Sequence, residues 1–179
     1  LDSLDVTNNT ALTTLMCYGN QLTSLDVSNN TSLTYLRCDA NQLTSLDISN
    51  NTALTGLECY NNQLTSLDVS NNTALTHLKS QTNQLTGLDV SNNTMLTDLR
   101  CFNNQLAYLN MKNGVTDALT TFNATNNDSL ECIETLDPNY ATTNWTYEDG
   151  NIDEGVSFAI QCVISNLHVA TTGSDSIGD

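Results

Sequence analysis

Leucine recurs on four positions of a 21-residue period from the first residue onward. The columns start at Leu1, Leu4, Leu12 and Leu15, and before residue 110 every leucine falls in one of them. Val6, Val27, Ile48, Val69, Val90 and Met111 keep the same spacing. So do Cys17, Cys38, Cys59 and Cys101, with Ser80 interrupting that column once. A fixed period of this length means one small unit repeated, unable to bury its apolar residues alone and therefore stacked on its neighbours. Within each unit apolar residues stand at i and i+2 twice, as in Leu36 and Cys38 and again in Leu46 and Ile48. That alternation is the signal of a short half-buried strand. The period is too short for a strand, a full helix and two turns. It predicts a mainly β solenoid whose coils carry a short parallel strand on each side, with Asn-rich bends between them. Burying each leucine contributes roughly 1.5–3 kcal/mol, an upper figure for a compact unfolded chain. A core of this size overrides a composition rich in Asn, Thr and Ser that alone would read as disordered.

The chain carries 20 Asp+Glu against 4 Lys+Arg, a net charge of −16 over 179 residues. Nucleic acid and anionic membrane need a basic footprint and are excluded as partners. No apolar run is long enough to span a bilayer, so no membrane insertion is expected. No basic segment followed by an apolar run marks an export signal. Leu1 stands in register at once, so further coils or a cap are expected upstream.

The motif LxxLxCxxNxLxxL, as in Leu33 through Leu46, resembles the leucine-rich repeat. With its nested half LxxLxVxxN it resembles the short, doubled repeats of bacterial internalin-like surface and secreted proteins. The resemblance covers residues 1 to about 127 in six copies and implies a right-handed leucine-rich-repeat solenoid. Residues 126–162, with LECI, NYATTNW and GVSFAIQC, resemble that group's C-terminal region, and EDGNIDEG stands as an insertion in it. The expected organisation is therefore repeats over 1–127, a C-terminal cap over 128–162 and a linker or tail over 163–179. The last repeat, 106–127, is expanded around Asn113–Asp117, and Tyr140, Trp145 and Phe158 are available to cover the end of the core.

The two halves of the repeat differ in their outward positions. In the LDV half one column stays constant: Asp5, Asp26, Asp47, Asp68 and Asp89, ended by Asn110. In the LxC half every outward column varies. One runs Thr14, Tyr35, Gly56, His77, Asp98; the next Met16, Arg37, Glu58, Lys79, Arg100; the third Tyr18, Asp39, Tyr60, Gln81, Phe102. A rigid scaffold presenting variable side chains reads as a recognition surface, and aromatic and Arg residues are what binding hot spots favour. The ligand-binding residues expected are Tyr18, Tyr35, Arg37, Asp39, Glu58, Tyr60, His77, Lys79, Asp98, Arg100 and Phe102. Resemblance to leucine-rich-repeat proteins puts this sheet on the concave side.

The Asp column supplies one carboxylate per coil where calcium wants 6–8 oxygens, so it reads as a structural ladder. Glu148, Asp149, Asp153 and Glu154 read as a solvated loop in the cap. The Asn columns beginning at Asn9 and Asn20 read as structural, their amides pairing with backbone between coils. The periodic cysteines stack with parallel Cβ vectors at about 4.8 Å, outside disulfide geometry, and are expected free. Cys132 and Cys162 break the period, flank the cap and are expected to pair, which fits an extracellular or cell-surface location. No phosphate loop, zinc spacing or nucleophile motif occurs, and no cofactor is expected.

The expectation is thus a non-enzymatic protein-binding or adhesion module of a bacterial surface or secreted protein. A protein is the expected ligand and a glycan the second. A structural spacer for an appended domain is the alternative. The Thr columns raise ice binding, but each Thr follows an inward Leu at a bend instead of forming a flat sheet.

Overall fold

The computed structural model describes residues 1–163; all but Val163 of the segment read as a linker, and His168 with it, lie outside the described residues. The period folds into a stack of coils. One strand per coil makes a six-stranded parallel sheet: β1 (Thr14–Met16), β2 (Tyr35–Arg37), β3 (Gly56–Glu58), β4 (His77–Lys79), β6 (Asp98–Arg100) and β8 (Thr121–Asn123). Its register places Leu15, Leu36, Leu57, Leu78, Leu99 and Phe122 opposite one another, so a whole leucine column becomes one ladder in the core. From Leu22 to Leu109 no columnar leucine is more than 8% exposed.

The second side is a sheet only from the fifth coil on, through β5 (Gly87–Asp89), β7 (Tyr108–Met111), β9 (Cys132–Thr135) and β10 (Ser157–Ala159). The matching segments around Leu25, Leu46 and Leu67 are not strands. Two substitutions coincide with the change. Gly87 and Tyr108 stand where the first four coils have Ser3, Ser24, Ser45 and Ser66. The Tyr108 ring lies against Gly87, where an added Cβ would meet it at 3.7 Å. Beside this contact the coils bond directly, Ala107 N to Thr86 O and Val90 N to Asn110 O, both at 2.9 Å.

Two asparagine ladders tie coil to coil at the bends. In the first, Asn83 Oδ1 accepts from Leu64 N at 3.0 Å while Nδ2 donates to Cys59 O at 3.1 Å and Ser80 O at 3.0 Å. Asn41, Asn62, Asn104 and Asn127 repeat the pattern. In the second, Asn72 Nδ2 donates to Ile48 O and Asn51 O. Asn30, Asn51 and Asn93 do the same, and the Oδ1 atoms of these four have no protein partner.

The residue just before the first ladder is left-handed in every coil: Gly19, Ala40, Asn61, Thr82, Asn103 and Asn126, with φ between 51° and 65°. Asn and Gly tolerate that region, whereas a β-branched residue there is strained. Thr82→Asn, at an exposed site, is expected to stabilise the chain by about 1 kcal/mol, raising the midpoint of a denaturant titration; an unchanged or lower midpoint contradicts the strain.

Cys17, Cys38, Cys59 and Cys101 are buried and free. Burial pushes the thiols of Cys59 and Cys101 up to about 12, and Cys38 well above its ordinary value. Thiolate is the reactive form. A thiol reagent at neutral pH is therefore expected to label none of these four promptly in the folded chain. Unfolding without reductant should release four thiols; six would contradict the Cys132–Cys162 disulfide.

At the far end the core is closed by α1 (Pro138–Asn144), β9, β10 and aromatic rings. Asp137 caps the helix by accepting from Tyr140 N, and Pro138 begins it where its missing N–H costs nothing. Trp145 follows the helix and is 5% exposed. Its ring centroid lies 4.6 Å from Phe122, 5.9 Å from Phe158 and 6.2 Å from Tyr140. Asp153 Oδ1 and Oδ2 accept from Asn126 N and Asn127 N, pinning the cap loop to the last coil. Cys132 and Cys162 are disulfide-bonded across β9 and the end of β10.

Candidate binding face

Seven outward side chains on and just beyond the first four strands of the six-stranded sheet, Tyr18, Tyr35, Arg37, Asp39, Glu58, Tyr60 and Lys79, form a connected network centred on Arg37. Its guanidinium carbon lies 4.0 Å above the centre of the Tyr18 ring. Nε donates to Asp39 Oδ1 at 2.8 Å and Nη2 to Tyr60 Oη at 3.2 Å. Glu58 Oε2 is 3.5 Å from Nε, and Glu58 Oε1 accepts from both Tyr35 Oη and Lys79 Nζ at 2.8 Å. One coil further, Arg100 holds Asp98 through two bonds, Nε to Oδ1 at 2.9 Å and Nη2 to Oδ2 at 3.2 Å. Such forked pairs fix the orientation of the guanidinium as well as its charge.

Backbone geometry brings these residues together. The 21-residue spacing places Arg37, Glu58, Lys79 and Arg100 side by side on β2, β3, β4 and β6, one strand spacing apart. Gly56 has a packing reason: the Tyr35 ring lies over it, and a Cβ there would come within 2.6 Å of the ring. Burial pushes the Tyr35 phenol up to about 12, helped by its bond to Glu58. Burial also acts to raise the Glu58 carboxyl, but the Lys79 and Tyr35 hydrogen bonds outweigh it and hold Glu58 below its ordinary value.

Arg100 and Asp98 form a separate pair, and the His77 ring bonds only Thr76. Among the described residues no side-chain hydrogen bond or ion pair joins these residues or Phe102 to the Arg37 network. The expected binding residues also differ in exposure. Tyr18 is 48% exposed. His77 is exposed too, its Nδ1 2.7 Å from Thr76 Oγ1. Tyr35, Arg37, Glu58, Tyr60, Lys79, Arg100 and Phe102 are half-buried. Asp39 and Asp98 are only 3% and 8% exposed, so they orient their arginines from below.

The opposite column has a different explanation. Asp26, Asp47, Asp68 and Asp89 each accept from the backbone N–H two residues on, at 2.8–2.9 Å, and Asp5 does so from Thr7. Hydrogen bonds from those Ser and Thr residues hold Asp5, Asp26, Asp47 and Asp68 below the ordinary carboxylate value. Their constancy therefore reflects one turn closed in the same way in every coil. Among the described residues no cluster of His, Cys, Asp and Glu is arranged to hold a metal ion. No helix there is long and apolar enough to cross a membrane.

Sequence reasoning missed two features. One is the layering of acid beneath base, which no spacing signals. The other is a shallow groove of about 410 Å³ on the second side, walled by Asp68, Asp89 and Tyr108 with Gly87 between them. The loss of serine at residues 87 and 108 was its only trace.

A family model described as the LVIVD repeat matches residues 35–61. No curated protein matches the sequence. Among solved structures the chain is similar to a leucine-rich-repeat protein of Leptospira interrogans, at 23% identity over 73% of this chain and 34% of that one, with a TM-score of 0.59. It is also similar to the internalin InlF of Listeria monocytogenes, at 22% identity over 90% and 52%, with a TM-score of 0.50. A third likeness is the functional domain of InlJ of Listeria monocytogenes, which includes a cysteine ladder, at 30% identity over 74% and 41%, with a TM-score of 0.37. The chain spans about half of these proteins or less. The first two likenesses identify the fold as the leucine-rich-repeat solenoid.

Proposed function

We propose that this leucine-rich-repeat solenoid is a non-enzymatic recognition module of a bacterial surface or secreted protein. It binds a protein partner through the variable face of the six-stranded sheet. The observation that carries the reading is the Arg37 network: aromatic rings and paired charges held in fixed geometry across successive strands, on a side where no backbone turn requires them. Preorganised Arg and Tyr side chains on a rigid frame lose little conformational freedom when a partner arrives. The likeness of fold to an internalin agrees with this reading, and the disulfide agrees with an oxidising, extracellular setting.

The test uses an array of extracellular proteins and glycans probed with the whole chain. Replacing Tyr18, His77 and Phe102 together by alanine is expected to reduce protein binding at least about tenfold, a loss of 1.4 kcal/mol, with the melting temperature nearly unchanged. Replacing Asp26, Asp47 and Asp68 together by asparagine is expected to leave binding intact. Full binding by the first variant overturns the reading and favours a spacer role.

A further inference from the structure

We propose that the variable face takes an acidic, carboxylate-bearing segment of its protein partner. The inference rests on the binding reading above and names the chemistry of what binds. In each ion pair on the face the base is the outer member. Side-chain exposure is 31% for Arg37 against 4% for Asp39, 24% for Lys79 against 12% for Glu58, and 39% for Arg100 against 12% for Asp98. The acids form an inner layer that already accepts from the face's own donors: Glu58 Oε1 from Tyr35 and Lys79, Asp39 Oδ1 from Arg37, and both oxygens of Asp98 from Arg100. The bases keep donors to spare. A guanidinium has five N–H groups and an ammonium three. Arg37 and Arg100 commit only Nε and Nη2, and Lys79 gives one bond to Glu58. The outer layer of charged groups therefore offers oriented donors, bordered by the Tyr18 ring.

Net charge points the other way and does not decide the matter. The Debye length is about 8 Å at physiological ionic strength, and the Asp column stands on the far side of the leucine core. The layer within reach governs the contact, while the −16 charge acts on encounter. Association with an acidic partner should consequently quicken as salt rises, the reverse of ordinary electrostatic steering. A sulfated glycan is less well served. Each base is already compensated by a carboxylate beneath it, leaving no excess positive charge for a polyanion. A single carboxylate, in contrast, gains a fork of donors that is already aimed.

The experiment pans a randomised displayed peptide library on the whole chain, with heparin as the glycan probe. Peptides that share an Asp or Glu at one fixed position are expected to be enriched. Their affinity should fall at least about tenfold in the paired replacement Glu58→Gln with Lys79→Met, which removes both charges and leaves no buried acid unpaired. Arg100→Lys, which keeps the charge but loses the fork, should weaken them as well; melting curves confirm that both variants fold. Enriched peptides rich in Lys and Arg, or heparin binding without acidic peptides, when sensitive to these replacements, overturn the inference and leave the binding face standing. Peptides indifferent to these replacements and to Tyr18→Ala overturn the face itself.

Discussion

Trp145→Ala is expected to cost about 3–5 kcal/mol, the range for deleting a large buried aromatic. Trp145 is 5% exposed and joins Phe122, at the end of the core ladder, to Tyr140 and Phe158 of the cap. Each coil of a solenoid buries its apolar face only against its neighbours, and the last coil depends on the cap that covers it. Removing the indole leaves a cavity between α1, β8 and β10 and uncovers Phe122, so self-association should accompany the loss of stability. Removing the Cys132–Cys162 disulfide should act on the same region by about 2–4 kcal/mol through the freedom returned to the unfolded chain. Thermal melts by circular dichroism and size-exclusion profiles test both. A Trp145→Ala chain that melts and elutes with the unaltered one would mean that the cap does not seal the core.

Asn83→Ala is the second large effect, expected at about 2–4 kcal/mol. Its side chain is the partner of Leu64 N, a buried donor with no other acceptor in reach, and it also donates to Cys59 O and Ser80 O. An orphaned buried donor costs about 1–3 kcal/mol by itself. The two carbonyls keep one amide each, Asn62 on Cys59 O and Asn104 on Ser80 O, so their loss is partial. For a chain of this size the shift is roughly 5–15 °C in melting temperature. The neighbouring replacement Asn92→Ala removes only an exposed bond to Ser70 O at 3.3 Å and should change stability by less than about 0.5 kcal/mol. Equal effects at Asn83 and Asn92 would contradict the ladder.

These two cases show where the sequence was transparent. The leucine, aliphatic and cysteine columns were legible because a coil that must stack can bury only the positions that recur. The asparagine columns were legible as structural because an amide is the side chain able to bond backbone groups of two coils at once. Cys132 and Cys162 stood out by breaking the period. The left-handed position was hidden, since Gly, Ala, Asn and Thr all occupy it and only the frame of the coil imposes its φ. The second sheet begins only at the fifth coil because its packing turns on single residues, Gly87 and Tyr108, that periodicity averages away.

The variable face was legible as a set of outward residues but not as an arrangement. Arg37, Glu58, Lys79 and Arg100 put three bases and one acid in one column, and with Asp39 and Asp98 beside them the face reads as mixed charge. Burial separates them into an acid layer and a base layer, because a short acid seated beside the backbone can turn down to meet an arginine whose longer stem reaches solvent. Constancy of the opposite Asp column looked like a contrast in selection, yet one turn geometry accounts for it. The weight of the functional reading accordingly rests on the network itself.

The most direct measurement places a photo-crosslinking amino acid at one outward position at a time and exposes the chain to a partner chosen on the protein array. Positions 18 and 77 sample the variable face, and positions 47 and 68 the Asp column. The account predicts covalent adducts from 18 and 77 and none from 47 and 68. Adducts from 47 and 68 instead, or equally from all four, would contradict it.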